Sequence, residues 1–216
     1  MPSRLLPVGA CLAACACAGA PAEAAVITTD RPCYVESMPM QIAGTGFAPG
    51  SAYAVRAEKV FAFGNADATG SWLARVARAP DVPQRTTTPR RFALTATQDG
   101  VDVATTRFDV VNLLVTLAST RGKPTSRTTW RLSGFTPGAS IYVHVRRSRK
   151  TLADVRLGRG DARCGRLTAR QRRIPGVKAA RLRTGRYDLY IDNRATFRPQ
   201  TRPQYRSSVS IHPAPR

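Results

Sequence analysis

Residues 134–145 read GFTPGASIYVHV, and residues 46–55 read GFAPGSAYAV. Each stretch opens on a turn and closes on an alternation. Ala48-Pro49-Gly50-Ser51 and Thr136-Pro137-Gly138-Ala139 place proline second and glycine third. A type II turn needs that order, because proline presets φ near about −65° and glycine accepts the positive φ that follows. After the turn, Ile141, Val143 and Val145 fall on one side of an extended chain, with Tyr142, His144 and Arg146 on the other. Phe92, Leu94 and Ala96 repeat this period of two, as do Tyr187, Leu189 and Ile191. Phe47 and Phe135 stand where they would plug a core at the end of the preceding strand. Short alternating runs broken by Gly/Pro turns predict an all-β sandwich. The turn joins two strands and carries no chemistry.

The echo runs well past the turn. Aligning Gly46 with Gly134 sets Ile42 opposite Trp130, Tyr53 opposite Ile141 and Val55 opposite Val143. Further along, at an offset of 95, Gly70 faces Gly165, Trp72 faces Leu167, and Arg91-Phe92-Ala93-Leu94 faces Arg186-Tyr187-Asp188-Leu189. Such correspondence predicts two tandem copies, 25–111 and 112–216. The joint at Asn112 is short, since Phe108–Val111 and Leu113–Leu117 both read as strand, so little swing is expected between the copies. Residues 166–183 are Arg-rich, but Pro175-Gly176 interrupts any helix there.

Residues 1–24 have the layout of a secretory signal peptide: Arg4, a short apolar run, and small residues around Ala22-Glu23-Ala24. Leu12-Ala13-Ala14-Cys15 also fits a bacterial lipobox, in which Cys15 would be acylated. Either route predicts a secreted or envelope-anchored protein. No later run approaches the ~20 apolar residues that a membrane helix requires. Cleavage after residue 24 removes Cys11, Cys15 and Cys17 and leaves Cys33 and Cys164. In an oxidising compartment that pair is a candidate disulfide, the alternative being two separate thiols.

Charge is distributed very unevenly. The net charge is +21, yet residues 25–111 hold 9 Lys/Arg against 8 Asp/Glu, while residues 112–216 hold 24 against 4. Genome composition can favour Arg over Lys throughout a protein, but it does not remove acids from one half only.

Cys33-Tyr34 followed by GFAPG, an alternating strand and Ala66-Asp67-Ala68-Thr69-Gly70-Ser71-Trp72 resembles bacterial secreted immunoglobulin-like modules. The second copy, with GFTPG, Ala162-Arg163-Cys164-Gly165-Arg166-Leu167 and a late Arg-rich segment, resembles the partner module in two-domain secreted proteins of high-GC bacteria. The resemblance implies two tandem Ig-like β-sandwiches. It carries no activity and no site residues. The chain lacks the Cys…Trp…Cys arrangement of antibody domains, and a bond between Cys33 and Cys164 would staple one copy to the other.

Catalysis finds no constellation in the sequence. His144 falls on the outward phase of its strand and reads as a lone surface histidine, and His212 lies in a proline-rich tail. No His/Cys cluster has metal spacing, and no P-loop or GxSxG motif occurs. Asp154, Asp161, Asp188 and Asp192, the only acids of the second copy, are expected to pair with arginines rather than form a catalytic carboxylate pair. The chain is therefore read as a non-enzyme needing no cofactor and no metal. Trp72 and Trp130 align with aliphatic residues and read as core, whereas Tyr142 and Tyr190 take the outward phase.

The basic runs remain as binding candidates. Arg146, Arg147, Arg149 and Lys150 form a hairpin tip, and Arg170, Arg172 and Arg173 precede Pro175. Arg194, Arg198, Arg202 and Arg206 recur every fourth residue with Phe197 and Tyr205 between them. Pro199 and Pro203 make that last segment an extended loop. Guanidinium forks suit phosphate or carboxylate, and interleaved rings can stack. These residues predict one continuous surface for an anionic partner: a wall phosphate polymer, anionic lipid or extracellular DNA. A protein partner without polyanion affinity is the alternative, and the oligomeric state is not readable.

Overall fold

The computed structural model describes residues 24–82, 85–118 and 123–211. The leader, including Cys15, lies outside these residues, as does His212. The first half contributes β1 (Val26–Thr29), β2 (Cys33–Val35), β3 (Met40–Thr45), β4 (Ala52–Ala57), β5 (Lys59–Asn65), β6 (Trp72–Val76), β7 (Arg90–Gln98) and β8 (Val101–Val111). The second contributes β9 (Leu114–Leu117), β10 (Arg127–Ser133), β11 (Ser140–Arg147), β12 (Lys150–Arg159), β13 (Leu167–Arg172), β14 (Gly185–Asp192) and β15 (Gln204–Ile211). The Arg-rich 166–183 stretch makes β13 and a single 3-10 turn at Ala179–Arg181.

In the first half β1-β3-β6 form one sheet and β2-β8-β7-β4-β5 the other. All pairings are antiparallel except that β2 runs parallel to β8, with Cys33 opposite Asp109. In the second half the sheets are β9-β10-β13 and β12-β11-β14-β15. These are the immunoglobulin strand orders A-B-E against A′-G-F-C-C′, with the A′ strand present in the first half. Tyr187, near the start of β14, accepts from the Arg183 N–H at 2.7 Å and donates to the Arg183 carbonyl at 2.9 Å. Such a tyrosine corner at the start of strand F is a hallmark of the fold. The chain is all-β and immunoglobulin-like.

Each half buries its own apolar set. Ile42, Phe47, Val55, Trp72, Leu94 and Phe108 fill the first, and Trp130, Phe135, Ile141, Val143, Tyr187 and Leu189 the second. The alternation in sequence is thus the alternation between core and exterior, each buried aliphatic or aromatic side chain contributing roughly 1.5–3 kcal/mol of transfer free energy. Trp72 stacks on Tyr53 at 4.3 Å between ring centroids, and Trp130 donates its indole N–H to the Arg172 carbonyl at 3.3 Å.

The repeat is also a repeat of backbone detail. The predicted turns form, Ser51 donating to the Ala48 carbonyl at 3.1 Å and Ala139 to the Thr136 carbonyl at 3.2 Å. Gly70 (φ 75°) and Gly165 (φ 61°) each lie against the plugging phenylalanine, where a β-carbon would meet the Phe47 oxygen at 2.0 Å or the Phe135 oxygen at 1.9 Å. Only glycine fits either place.

Candidate functional site

β11 carries Tyr142, His144 and Arg146 away from the core, and β14 carries Asp188, Tyr190 and Asp192 beside them, with His144 opposite Tyr190. Residues 193–203 leave the end of β14 and fold back over this face before β15 begins. Local hydrogen bonds hold this strap. Asp192 Oδ1 accepts from the Arg194 N–H at 2.8 Å. Asn193 accepts from the Thr136 N–H at 3.1 Å and donates to the Ser140 carbonyl at 2.9 Å. Gln204 donates to Asp192 Oδ2 at 3.1 Å. The apolar side chain of the strap, Phe197, lies edge-on 5.7 Å from His144 and 4.9 Å from Tyr190. Arg146 lies 4.1 Å over the Phe197 ring, and Arg206 lies 5.2 Å over Tyr190. The result is a stack of guanidinium, ring, ring and guanidinium across the sheet.

His144 corrects the sequence reading. It is fully buried rather than a surface residue. Its Nδ1 lies 2.6 Å from Asp154 Oδ1 and its Nε2 lies 3.1 Å from Asp192 Oδ1. A neutral imidazole has one N–H and one lone pair, so one nitrogen would confront a carboxylate with no proton between them. The imidazolium satisfies both. Burial works against its charge, but the bonds to Asp192 and Asp154 outweigh burial and raise the His144 pKa. Burial likewise opposes ionisation of Asp192, and the His144, Arg194 and Gln204 bonds overcome it, lowering its pKa. Both ring nitrogens are thereby occupied, and neither is free to take a proton from a substrate. Tyr142 and Tyr190 are half-buried rather than open. Of the four acids, Asp161 pairs with Arg166 at 2.8 Å, and Asp188 with Arg186 at 3.4 Å and Arg206 at 3.6 Å, as expected, whereas Asp154 and Asp192 serve the histidine. Among the described residues no group of His, Cys, Asp and Glu is arranged to hold a metal ion.

The single continuous basic surface does not form. Arg146 and Arg206 flank the stack, and Arg194 and Arg198 are exposed on the strap. Arg149 and Lys150 are exposed at the β11–β12 tip, where Ser148 and Arg149 take positive φ of 47° and 69°. Arg147 turns to the end of the core, lying 5.5 Å over Tyr187 and donating to the Thr184 carbonyl at 2.9 Å. Arg170 and Arg172 project from β13, which belongs to the opposite layer, and Arg173 is buried. Two layers packed face to face send their outward side chains in opposite directions, so the 170–173 segment cannot join the others.

Arg202 points elsewhere again, to the junction of the halves. There Cys33 and Cys164 are joined by a disulfide, with Cα atoms 5.4 Å apart. Beside it Asp109 binds Arg163 at 2.7 Å and Arg91 at 3.2 Å, and Ser133 donates to the Asn112 carbonyl at 2.8 Å. Above the disulfide opens a cleft of about 1160 Å³, walled by residues 31–35 with Met38 and Pro39 on one side and by 134–137, 162–164 and 200–204 on the other. Nothing in the sequence marks it, because its walls come from segments distant along the chain.

No family model matches the chain, and no curated protein is similar to it. Among solved structures it is similar to the human OSCAR ligand-binding domain, at 10% identity and a TM-score of 0.38 over 87% of this chain and 97% of that one. It is similar to the Yersinia pseudotuberculosis adhesin InvE at 13% identity and a TM-score of 0.31, over 87% of this chain and 58% of the adhesin chain. It is also similar to the fibronectin(III)-like modules of Clostridium thermocellum CbhA, at 12% identity and a TM-score of 0.28, over 86% and 93%. The fold assignment rests on the strand order described above.

Proposed function

We propose that the chain is an exported, non-catalytic binding protein of two tandem Ig-like domains, 25–111 and 112–216, whose second domain holds an anionic surface polymer on its strapped face. The carrying observation is the stack of Arg146, Phe197, Tyr190 and Arg206, with Arg194 and Arg198 exposed on the strap above it. Arg146 donates to the Arg149 carbonyl and Arg206 lies 3.6 Å from Asp188, so the two ring-fixed guanidiniums stiffen the face while the exposed forks of Arg194 and Arg198 offer donors to a polymer of phosphates. The half that carries them has almost no opposing acid, which steers anions toward it.

A salt series with the oxidised chain and a long polyphosphate tests this reading. Log K is expected to fall linearly with log salt, and R194Q/R198Q/R206Q to flatten the slope by about two to three contacts' worth. R170Q/R172Q, on the opposite layer, is expected to leave the slope nearly unchanged. Equal losses from both variants would reduce the face to diffuse charge.

A second reading, adhesion to a protein, is favoured by one observation. On edge strand β5, Phe63 is 81% exposed and Val60 58% exposed. Salt-insensitive binding to a protein, abolished by Phe63→Ala and untouched by the arginine variants, would select it.

A further inference from the structure

We propose that the cleft between the two halves is a separate binding site for an amphipathic anion: one alkyl chain ending in a phosphate. Its rim is cationic. Arg31, Arg163 and Arg202 line it, and no carboxylate does. Arg163 is engaged by Asp109 and Arg31 lies 3.4 Å from Asp30, whereas Arg202 has no acidic partner among the described residues. Its floor is apolar, formed by Val35, Val111, Leu113 and Phe135 around the disulfide.

A ligand seated there meets guanidinium groups at one level and hydrocarbon and sulfur at another. A long polyanion would lose hydration from its charges over that floor with no donors to replace the water. A neutral glycan would leave Arg202 without a counter-charge. An anionic head on an apolar tail satisfies both levels. The volume of about 1160 Å³ lies just above the range of about 300 to 1,000 Å³ usual for ligand pockets and leaves room for a tail of many carbons. Both halves supply walls, and the Cys33–Cys164 bond ties them together.

The test is calorimetric titration of the oxidised chain with dodecyl phosphate below its aggregation concentration. Inorganic phosphate and dodecyl maltoside, run beside it, separate the head from the tail. One saturable site is expected, with both controls at least about tenfold weaker. Arg202→Gln should weaken binding by about tenfold, the usual worth of one charge-assisted contact. Ala162→Trp, a substitution at an exposed wall position, should block the cleft and remove the saturable phase. Arg206→Gln, on the strapped face, should change the affinity less than twofold. The site is overturned if phosphate alone binds as well as dodecyl phosphate, if Ala162→Trp binds normally, or if Arg206→Gln costs as much as Arg202→Gln. Polyphosphate affinity is measured on the same variants. Failure of the parent chain to bind dodecyl phosphate, with its polyphosphate binding intact, would sink this proposal and spare the strapped face, whereas Ala162→Trp is expected to lose the cleft signal and keep polyphosphate binding.

Discussion

Arg163 of the second half donates to Asp109 of the first at 2.7 Å, and the Asp109 side chain is only 6% exposed. The carboxylate therefore depends on partners from both sides of the junction, Arg163 and Arg91. Removing Arg163 leaves it half-satisfied in a site with little water. Arg163→Ala is expected to destabilise the chain by about 1–3 kcal/mol in urea unfolding. A double-mutant cycle with Asp109→Ala should return a coupling of at least about 0.5 kcal/mol. Strict additivity would mean that the pair does not tie the halves.

The histidine under the strap makes stability depend on pH in a definite direction. The folded-state pKa of His144 lies above the ordinary 6.5, so its contribution is complete below 6.5 and is lost as pH climbs through the raised value. Asp192 behaves in the opposite sense: its contribution is present above 3.8 and is lost as pH falls through its lowered value. Urea midpoints should thus decline from about pH 6 to pH 9 in the parent. His144→Gln should lie roughly 1–3 kcal/mol lower at pH 6 and show a flatter profile. A parallel decline in both proteins would place the pH dependence elsewhere.

Crowding at Gly165 predicts a cost out of proportion to one methyl group. Gly165→Ala sets a β-carbon against the Phe135 carbonyl in a left-handed backbone conformation. Roughly 2–4 kcal/mol is expected from the clash and the strain together. Gly50→Ala, where a β-carbon meets nothing within 4 Å, carries the strain alone and should cost about 1 kcal/mol. Thermal melts of the two variants separate the contributions.

The β11–β12 tip carries strain that can be relieved. Ser148 and Arg149 hold positive φ without being glycine, in a two-residue turn that favours Asn-Gly. Arg149→Gly is expected to raise stability by about 0.5–1 kcal/mol. A loss on that substitution would show that the arginine side chain contributes more than its backbone costs.

What could be read from the residues follows what is local. The turn chemistry of GFAPG and GFTPG and the period-two strands depend only on near neighbours, and they appear in the fold; Trp72 and Trp130 are buried as their alignment with Leu167 and Ile42 of the other half implies. His144 could not be read that way. A simple two-residue hairpin would set it opposite Ala153, but a bulge between Val145 and Arg146 sets it opposite Asp154 instead. Its cover, Phe197, arrives from a loop that returns across the sheet. Arg170 and Arg172 look continuous with the other basic runs in sequence and part from them only because β13 joins the other layer. The cleft draws on segments more than a hundred residues apart, and no spacing rule reaches that far.

The Cys33–Cys164 bond spans 131 residues. A pull applied at the two ends of the chain would run through that covalent bond and bypass everything between. Nearly the whole first half, with β9 to β12 of the second, would stay slack however hard the ends were drawn. At about 3.4 Å per extended residue, roughly 440 Å of contour is withheld from stretching until the bond is reduced. The chain is, in mechanical terms, a short tether carrying a long shielded loop.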